Sequence, residues 1–478
     1  MTKRTRVVLL IVAAVILIYP ALAWLTGLVT ERTLTRNEQL LLEQNKYLVL
    51  RDRQYHRGIY SSTEVVTYGV GGPFLGINSP IAQALTNLQL TVHNTIHHGP
   101  LPGLRAFGLA SIDSQLQLAS TTGAVTPDAI TPSTAAPGTT TAGTATPGTT
   151  AQNQPAVQIH TLIGWLGGGR SIIHSAALHY RNATGMQFDW RGLDGSIHYG
   201  RNLDTWSATI TAPGFEAQSD QGHLTLTGIA FTADDRRAFD AFYLGDSRFK
   251  LARAEYRPAS GDPLVLQGIS IHGISNPSTA DAQYIDSSAN LTVDEVQTTP
   301  FSATRVGYDV SFNHLYGPSL AAMTQDMRGV QRDAASPTER TRQLLGVLNQ
   351  YGPPLMLHDP VIRIDRVGFV TPQGELRLSG RITFSGLASA DLQGTAAMAA
   401  LVQHARAAFD LRVDTALADK LLGSSNRGPA IAAQMQQFEN LGYLKREGTL
   451  YTTHIDYQAG KLLINSLPWP PAGPATTN

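Results

Sequence analysis

After an uncharged apolar run from Val7 to Val29, hydrophobic positions recur mostly at every second residue, the period of a half-buried β-strand. These runs predict strands at Leu48–Leu50, Ser62–Val70, Leu88–Ile96, Ala106–Leu118, Val157–Trp165 and Ile172–Tyr180. In Leu88–Ile96 the apolar Leu88, Leu90, Val92 and Ile96 share one face, and Gln89, Thr91, His93 and Thr95 share the other. That is the signature of an antiparallel strand with one face on a core. Further strands follow at Ser196–Tyr199, Ser207–Thr211, His223–Ile229, Arg248–Tyr256, Leu264–Ile274, Ala289–Val296 and Val306–Leu315. Glycine turns at Asp194-Gly195, Gln221-Gly222 and Ser260-Gly261 punctuate them.

The period changes after Pro318. Leu320, Met323, Met327 and Val330 have helical spacing, and the Met323/Met327 pair reads as packing. Ser336-Pro337-Thr338-Glu339 is a cap and first turn for a helix carrying Leu344, Leu345, Val347 and Leu348, and Tyr351-Gly352-Pro353-Pro354 is expected to stop it. Strands Val361–Val370 and Glu375–Phe384 come next, then helices over Thr395–Ala408 and Ala430–Tyr443. A hairpin of Leu450–Tyr457 and Lys461–Ile464 closes the chain.

The expected fold class is therefore α+β: an N-terminal membrane helix, then a β-rich ectodomain of long antiparallel sheets covered by late amphipathic helices. The segments run as an anchor or signal segment (1–30), a polar helical stalk (31–46) and a first β-rich part (47–119). A loop (120–155), a second β-rich part (156–317) and a helix-containing α+β part (318–478) follow. Ser120–Pro155 is almost wholly Thr, Ala, Pro, Gly and Ser, too poor in apolar area to offset its ordering entropy, and is expected to be a disordered insertion within one domain.

At the N-terminus, Lys3, Arg4 and Arg6 precede the apolar run. As a helix, residues 7–29 would extend about 34 Å, enough for a hydrocarbon core of about 30 Å. Basic residues on the short side predict a single-pass helix whose N-terminus stays in the cytoplasm, with the C-terminal ectodomain outside it. A second reading stays open: Val7–Tyr19 has the length of a signal-peptide core, and Ala21-Leu22-Ala23 has the cleavage pattern. Either one exports the rest.

Composition narrows the function classes. The 36 basic residues balance the 36 acidic ones, which excludes the electrostatic footprint of a nucleic-acid binder. With no cysteine, the chain has no disulfide, thiolate nucleophile or thiolate metal site.

Individual motifs point to structure more than chemistry. Gly164–Ser171 approaches a phosphate loop, but Arg170 replaces the lysine and Ile172-Ile173-His174 reads as a strand rather than a helix, so a hairpin turn is expected. His93, His97 and His98 could ligate zinc on a helix. On a strand, His93 and His97 stand about 13 Å apart, too far for one ion, and His97 or His98 is expected to hydrogen-bond the Gly99-Pro100 turn. His358-Asp359-Pro360 reads as a turn without a partner serine motif. Asn182-Ala183-Thr184 and Asn290-Leu291-Thr292 fit the glycosylation pattern. No catalytic, cofactor-binding or metal-ligating residue is assigned, and no cofactor is implied.

Several tracts, in order, resemble the YdgA-like family of bacterial envelope proteins. They are the basic-then-apolar N-terminus, Tyr55-His56-Arg57-Gly58-Ile59-Tyr60-Ser61-Ser62 (a Y-x-x-G-x-x-S-S element), His98-Gly99-Pro100-Leu101, and the closing hairpin. That hairpin has Tyr451 and Leu463-Ile464-Asn465, with Asn465-Ser466 where the family often has Asn-Gly. The resemblance implies a periplasmic protein tethered to the inner membrane through residues 7–29, with no established activity. The function expected is non-catalytic binding of an envelope protein or an apolar ligand such as lipid. The alternative is an envelope hydrolase with acid and base residues dispersed in sequence.

Overall fold

The computed structural model describes residues 3–44, 48–70, 88–104, 106–120, 157–181, 187–239, 242–299, 301–333, 337–392, 397–423 and 428–470. The Thr/Ala/Pro/Gly/Ser tract beyond Ser120 and the Asn182 acceptor site lie outside them. The chain forms two compact units. One comprises residues 1–223, 230–236 and 328–337; the other comprises 224–229, 237–327 and 338–478.

The first unit holds helix α1 (Lys3–Gln44) and an antiparallel sheet. Its strands are β1 (Leu48–Arg57), β2 (Ser61–Val70), β3 (Leu88–His98), β4 (Ala110–Ser120), β5 (Val157–Ile163) and β6 (Gly169–Ser175). These six pair in sequence order. After β7 (Leu178–Arg181) and β8 (Gln187–Trp190), β9 (Leu193–Tyr199) pairs with β6, and β10 (Thr205–Ser219) pairs with both β9 and β8. At the end of β3 the expected alternation is seen, Thr95 exposed and Ile96 buried, while Gln89–Asn94 are all half-buried. Ile96 is fully buried in a core with Leu109, Ala110, Ile112 and Ile163, on which Leu34 and Tyr55 pack. Gly195 lies inside β9 rather than in a turn; a Cβ there would press on Ile210 across the ladder, at 3.3 Å from its Cγ1. The turn falls instead at Gly192, whose φ of 94° favours glycine.

β11 (Gly222–Arg237) is divided between the units. The second unit contains four strands of 14 to 16 residues: β12 (Tyr243–Pro258), β13 (Leu264–Pro277), β14 (Tyr284–Thr298) and β15 (Phe301–Tyr316). The antiparallel order continues through β16 (Val361–Thr371), β17 (Gly374–Phe384), β18 (Ala405–Asp414) and β20 (Leu450–Gln458). Short β19 (Lys445–Glu447) also pairs with β20, and β21 (Lys461–Ile464) and β22 (Leu467–Trp469) finish the edge. Helix α2 (Gly317–Asp333) begins in this unit, and α3 (Pro337–Met356) continues past the expected stop. Pro353 and Pro354 remove only the two intrahelical bonds that would end on Asn349 and Gln350. The predicted helix over Thr395–Ala408 is cut short: α4 spans Ala397–His404, and Ala405 onward is strand, its small and apolar residues pairing with β17 and β20. Helices α5 (Thr415–Gly423) and α6 (Gly428–Asn440) follow, and α5 packs against β17 and β18 with Leu417 and Ala418 buried.

The expected membrane helix is corrected. Among the described residues, no helix is long and apolar enough to cross a membrane. From Tyr19 onward one stripe of α1 is committed to protein contacts: Ala23, Thr26, Gly27 and Thr30 are buried while Leu22, Leu25 and Val29 are exposed. The apolar sequence before Tyr19, Val7–Ile18, amounts to about 18 Å of helix, short of a hydrocarbon core of about 30 Å.

Candidate functional site

The two tracts Tyr55–Ser62 and His98–Leu101 are far apart in sequence and meet beneath α1. Gly58 donates to the carbonyl of Ser61 at 2.9 Å, closing the tight connection from β1 to β2, and the amide of His98 donates to Tyr60 at 2.8 Å. The His98 ring is held at both nitrogens, Nδ1 being 2.9 Å from the Ile59 carbonyl and Nε2 2.8 Å from Ser62 Oγ. A carbonyl can only accept, so Nδ1 carries the proton and Nε2 accepts the Ser62 hydroxyl. Burial holds the His98 pKa below its ordinary value, which keeps the ring neutral as this arrangement needs.

α1 covers this pair. Thr26 Oγ1 donates to the Gly99 carbonyl at 2.9 Å, Tyr19 Oη donates to Leu101 at 3.2 Å, and Tyr19 stacks on Tyr60. A serine hydroxyl bonded to an oriented imidazole is the geometry of an activated nucleophile. Here Ser62 and His98 are each 2% exposed and Gly27 lies on the ring, so no substrate atom reaches either. The pair is a lock for α1. Sequence reasoning expected the histidine to serve the Gly99-Pro100 turn; His98 bonds the Ile59–Ser62 segment instead, and Thr26 takes the turn's carbonyl.

A second polar cluster fastens α1 further along. Glu64, on β2, accepts from Arg53 Nε at 2.7 Å and from Asn94 Nδ2 at 2.8 Å. Arg53 also reaches Thr35 at 3.0 Å and Glu38 at 3.3 Å, and Tyr68 Oη donates to Glu38 at 2.8 Å. Burial, then the bond to Glu38, pushes the Tyr68 phenol far above its ordinary range.

The remaining sequence candidates are dispersed. His93 and His97 lie on β3, where His97 Nε2 is 3.7 Å from Asp113; His160 bonds the same carboxylate at 2.7 Å. No group of three metal-ligating side chains occurs among the described residues. Gly164–Gly168 closes the hairpin between β5 and β6, with Gly164 donating to Gly168 at 2.8 Å. His358 stacks on Tyr316 and lies 3.2 Å from Tyr284 Oη, while Asp359 accepts the amide of Gly386 at 3.2 Å, a turn with an aromatic brace. Asn290 sits half-buried inside β14.

In the second unit the register aligns an apolar row across seven strands. Phe249 faces Ile271, which faces Leu291; Tyr308, Val367, Leu378 and Leu411 continue it in turn. A parallel row runs Phe312–Ile362–Ile382–Ala407–Tyr457 on the same face. Six inter-strand steps make the first row about 29 Å wide. The opposite face carries Arg248, Lys250, His272, Asn290, Asp309, Arg377 and Arg412. Ile271 is 44% exposed and Tyr308 38%, so the apolar face is open at β13 and β15.

A family model described as "Bacterial protein of unknown function (DUF945)" matches residues 1–472. No curated protein and no solved structure matches the chain.

Proposed function

The chain belongs to this bacterial family of unknown function, and from that premise we propose that it is a non-catalytic envelope protein that binds an apolar ligand of the lipid class on its second unit. The observation that carries the proposal is the open apolar row centred on Ile271, Leu291 and Tyr308. Ile271 and Tyr308 keep only 44% and 38% of their surface exposed, so covering each with a ligand is worth about 1 kcal/mol, the matching share of the value for full burial, and contiguous apolar surface of this kind marks binding sites more often than bare exterior. The ordered short motifs support kinship with the YdgA-like proteins, and the basic-then-apolar N-terminus supports export to the periplasm.

Displacement of a fluorescent fatty acid from the purified full chain tests the binding. Saturable binding is expected, weakened at least tenfold in Ile271→Lys and Tyr308→Lys with the melting temperature retained. Absence of saturable binding, or binding by both variants equal to that of the parent, defeats the proposal. A reporter active only outside the cytoplasm, fused after Asn478, tests export; signal from a cytoplasm-only reporter defeats that part.

A further inference from the structure

On the face of the second unit opposite the apolar rows, Arg377 of β17 stands directly across the ladder from Arg412 of β18. Like charges so placed destabilise an antiparallel pair. Among the described residues the Arg412 guanidinium has no acidic or hydrogen-bonding partner, and the hydrogen bond of Arg377 goes to the Asp365 backbone carbonyl at 3.4 Å. The flanking positions in the same row are short: Gly368 on one side and Thr452 on the other, with the cationic Lys445 beyond. A Cβ at Gly368 would collide with the Leu376 carbonyl, so no side chain fits at this position beside Arg377. Two residues along, Ser379 faces Asp410, and these four side chains line a shallow cavity.

We propose that this cavity is a binding site for a phosphate-type dianion, a phosphomonoester or inorganic phosphate, bridged by Arg377 and Arg412. Two guanidinium forks match the several acceptor oxygens of such a group and convert the repulsive pair into two charge-assisted contacts. The Ser379 hydroxyl supplies a further donor. Among the four residues lining the cavity Asp410 is the one acid; Glu375 and Asp414, two residues from Arg377 and Arg412 on the same face, are engaged elsewhere, Glu375 3.9 Å from Arg366 and Asp414 accepting the Glu375 amide at 2.7 Å. Asp410 is engaged as well: His454 Nδ1 lies 2.8 Å from its carboxylate, and His454 Nε2 lies 2.9 Å from Asp456. Those carboxylates raise the His454 pKa, the hydrogen bond from His454 to Asp410 contributing most, so His454 in its protonated form offsets the Asp410 charge. The site stands independently of the apolar face, because it lies on the other side of the sheet.

Calorimetric titration of the full chain with inorganic phosphate, at constant ionic strength in chloride, tests the site. One-site saturable binding is expected. It should weaken about tenfold or more in Arg412→Ser and in Arg377→Ser, the scale of losing a charge-assisted hydrogen bond. It should stay unchanged in Arg257→Ser, whose guanidinium instead pairs with Glu255 on β12. The melting temperature of Arg412→Ser without phosphate should equal or exceed that of the parent, since repulsion is removed. Competition by glycerol 3-phosphate would identify a soluble monoester as the source, and Arg412-dependent sedimentation with phosphatidate vesicles a lipid headgroup. No saturable heat, or equal binding by Arg412→Ser and the parent, overturns the proposal.

Discussion

Gly27 of α1 rests against the imidazole of His98 so closely that a Cβ at Gly27 would come within 2.5 Å of both Cε1 and Nδ1. A glycine in mid-helix costs about 1 kcal/mol relative to alanine. Here it admits the ring that Ser62 and Ile59 hold from the other side. Gly27→Ala is expected to destabilise the chain by about 1–3 kcal/mol through overpacking, despite its better helix propensity. Denaturant midpoints of the full chain measure this. In a His98→Ala background the same change should cost much less, because the clash partner is gone. Equal costs in both backgrounds would mean α1 does not dock here.

The same ring predicts a pH dependence. Burial depresses the folded-state pKa of His98, with repulsion from Arg57 and His97 adding to it against the Ile59 bond. The unfolded chain takes up the proton near pH 6.5. Between the folded and unfolded pKa values the unfolded state binds more protons, so stability rises with pH across that window. The full contribution is present above about pH 6.5 and is lost as pH falls toward the folded value. The difference in stability between parent and His98→Ala should therefore shrink on acidification below about pH 6.5; a difference flat from pH 7 to 5 contradicts a neutral, buried His98.

Much of the sheet was legible from period-two alternation, because each strand buries one face. The hairpin of Leu450–Tyr457 and Lys461–Ile464 was legible too: Gln458 pairs with Lys461, and Ala459 and Gly460 between them adopt positive φ, 48° and 76°. The next turn, at Asn465-Ser466 with φ of 51° and 70°, was not read as one. Strand Ala405–Asp414 was hidden by its alanines, whose helix propensity is overridden by pairing on both edges. The error at the N-terminus has a specific cause. Hydropathy sums whole residues and counts Leu22, Leu25 and Val29 fully, whereas docking uses the small stripe Ala23, Thr26, Gly27 and Thr30, at helical i, i+3, i+4, i+7 spacing. The lock could have been suspected only from the paired tracts Tyr55–Ser62 and His98–Leu101, since no local pattern tells that they meet.

Docking by that stripe bears on processing. Cleavage after Ala23 would remove Tyr19 and its bond to Leu101, and would open the helix one turn before Thr26. The protein isolated from cells is expected to retain Tyr19, as mass spectrometry of its N-terminal peptide would establish. Thr26→Val, which keeps the shape and deletes the bond to Gly99, should cost about 1–2 kcal/mol by leaving a buried carbonyl unmet. A mature chain beginning at Trp24 would refute the docked α1 as the native arrangement.

The largest single-residue effect in the first unit is expected at Arg53. Glu64 is a nearly buried acid on β2, its side chain 5% exposed, and its charge is tolerated because Arg53 and Asn94 satisfy both oxygens. Breaking a buried pair from one side leaves the other charge without compensation, at about 3–5 kcal/mol, more than the pair itself contributes. Arg53→Ala should approach the lower end, since Asn94 remains and Arg53 is partly solvated. Glu64→Gln should cost less, because an amide needs no counter-charge and still accepts one of the two bonds. Removing both charges, Arg53→Met with Glu64→Gln, should recover much of the loss. If Arg53→Met and Glu64→Gln cost the same, and the double change costs their sum, the two residues act independently rather than as the clamp that holds α1 against β1 and β2.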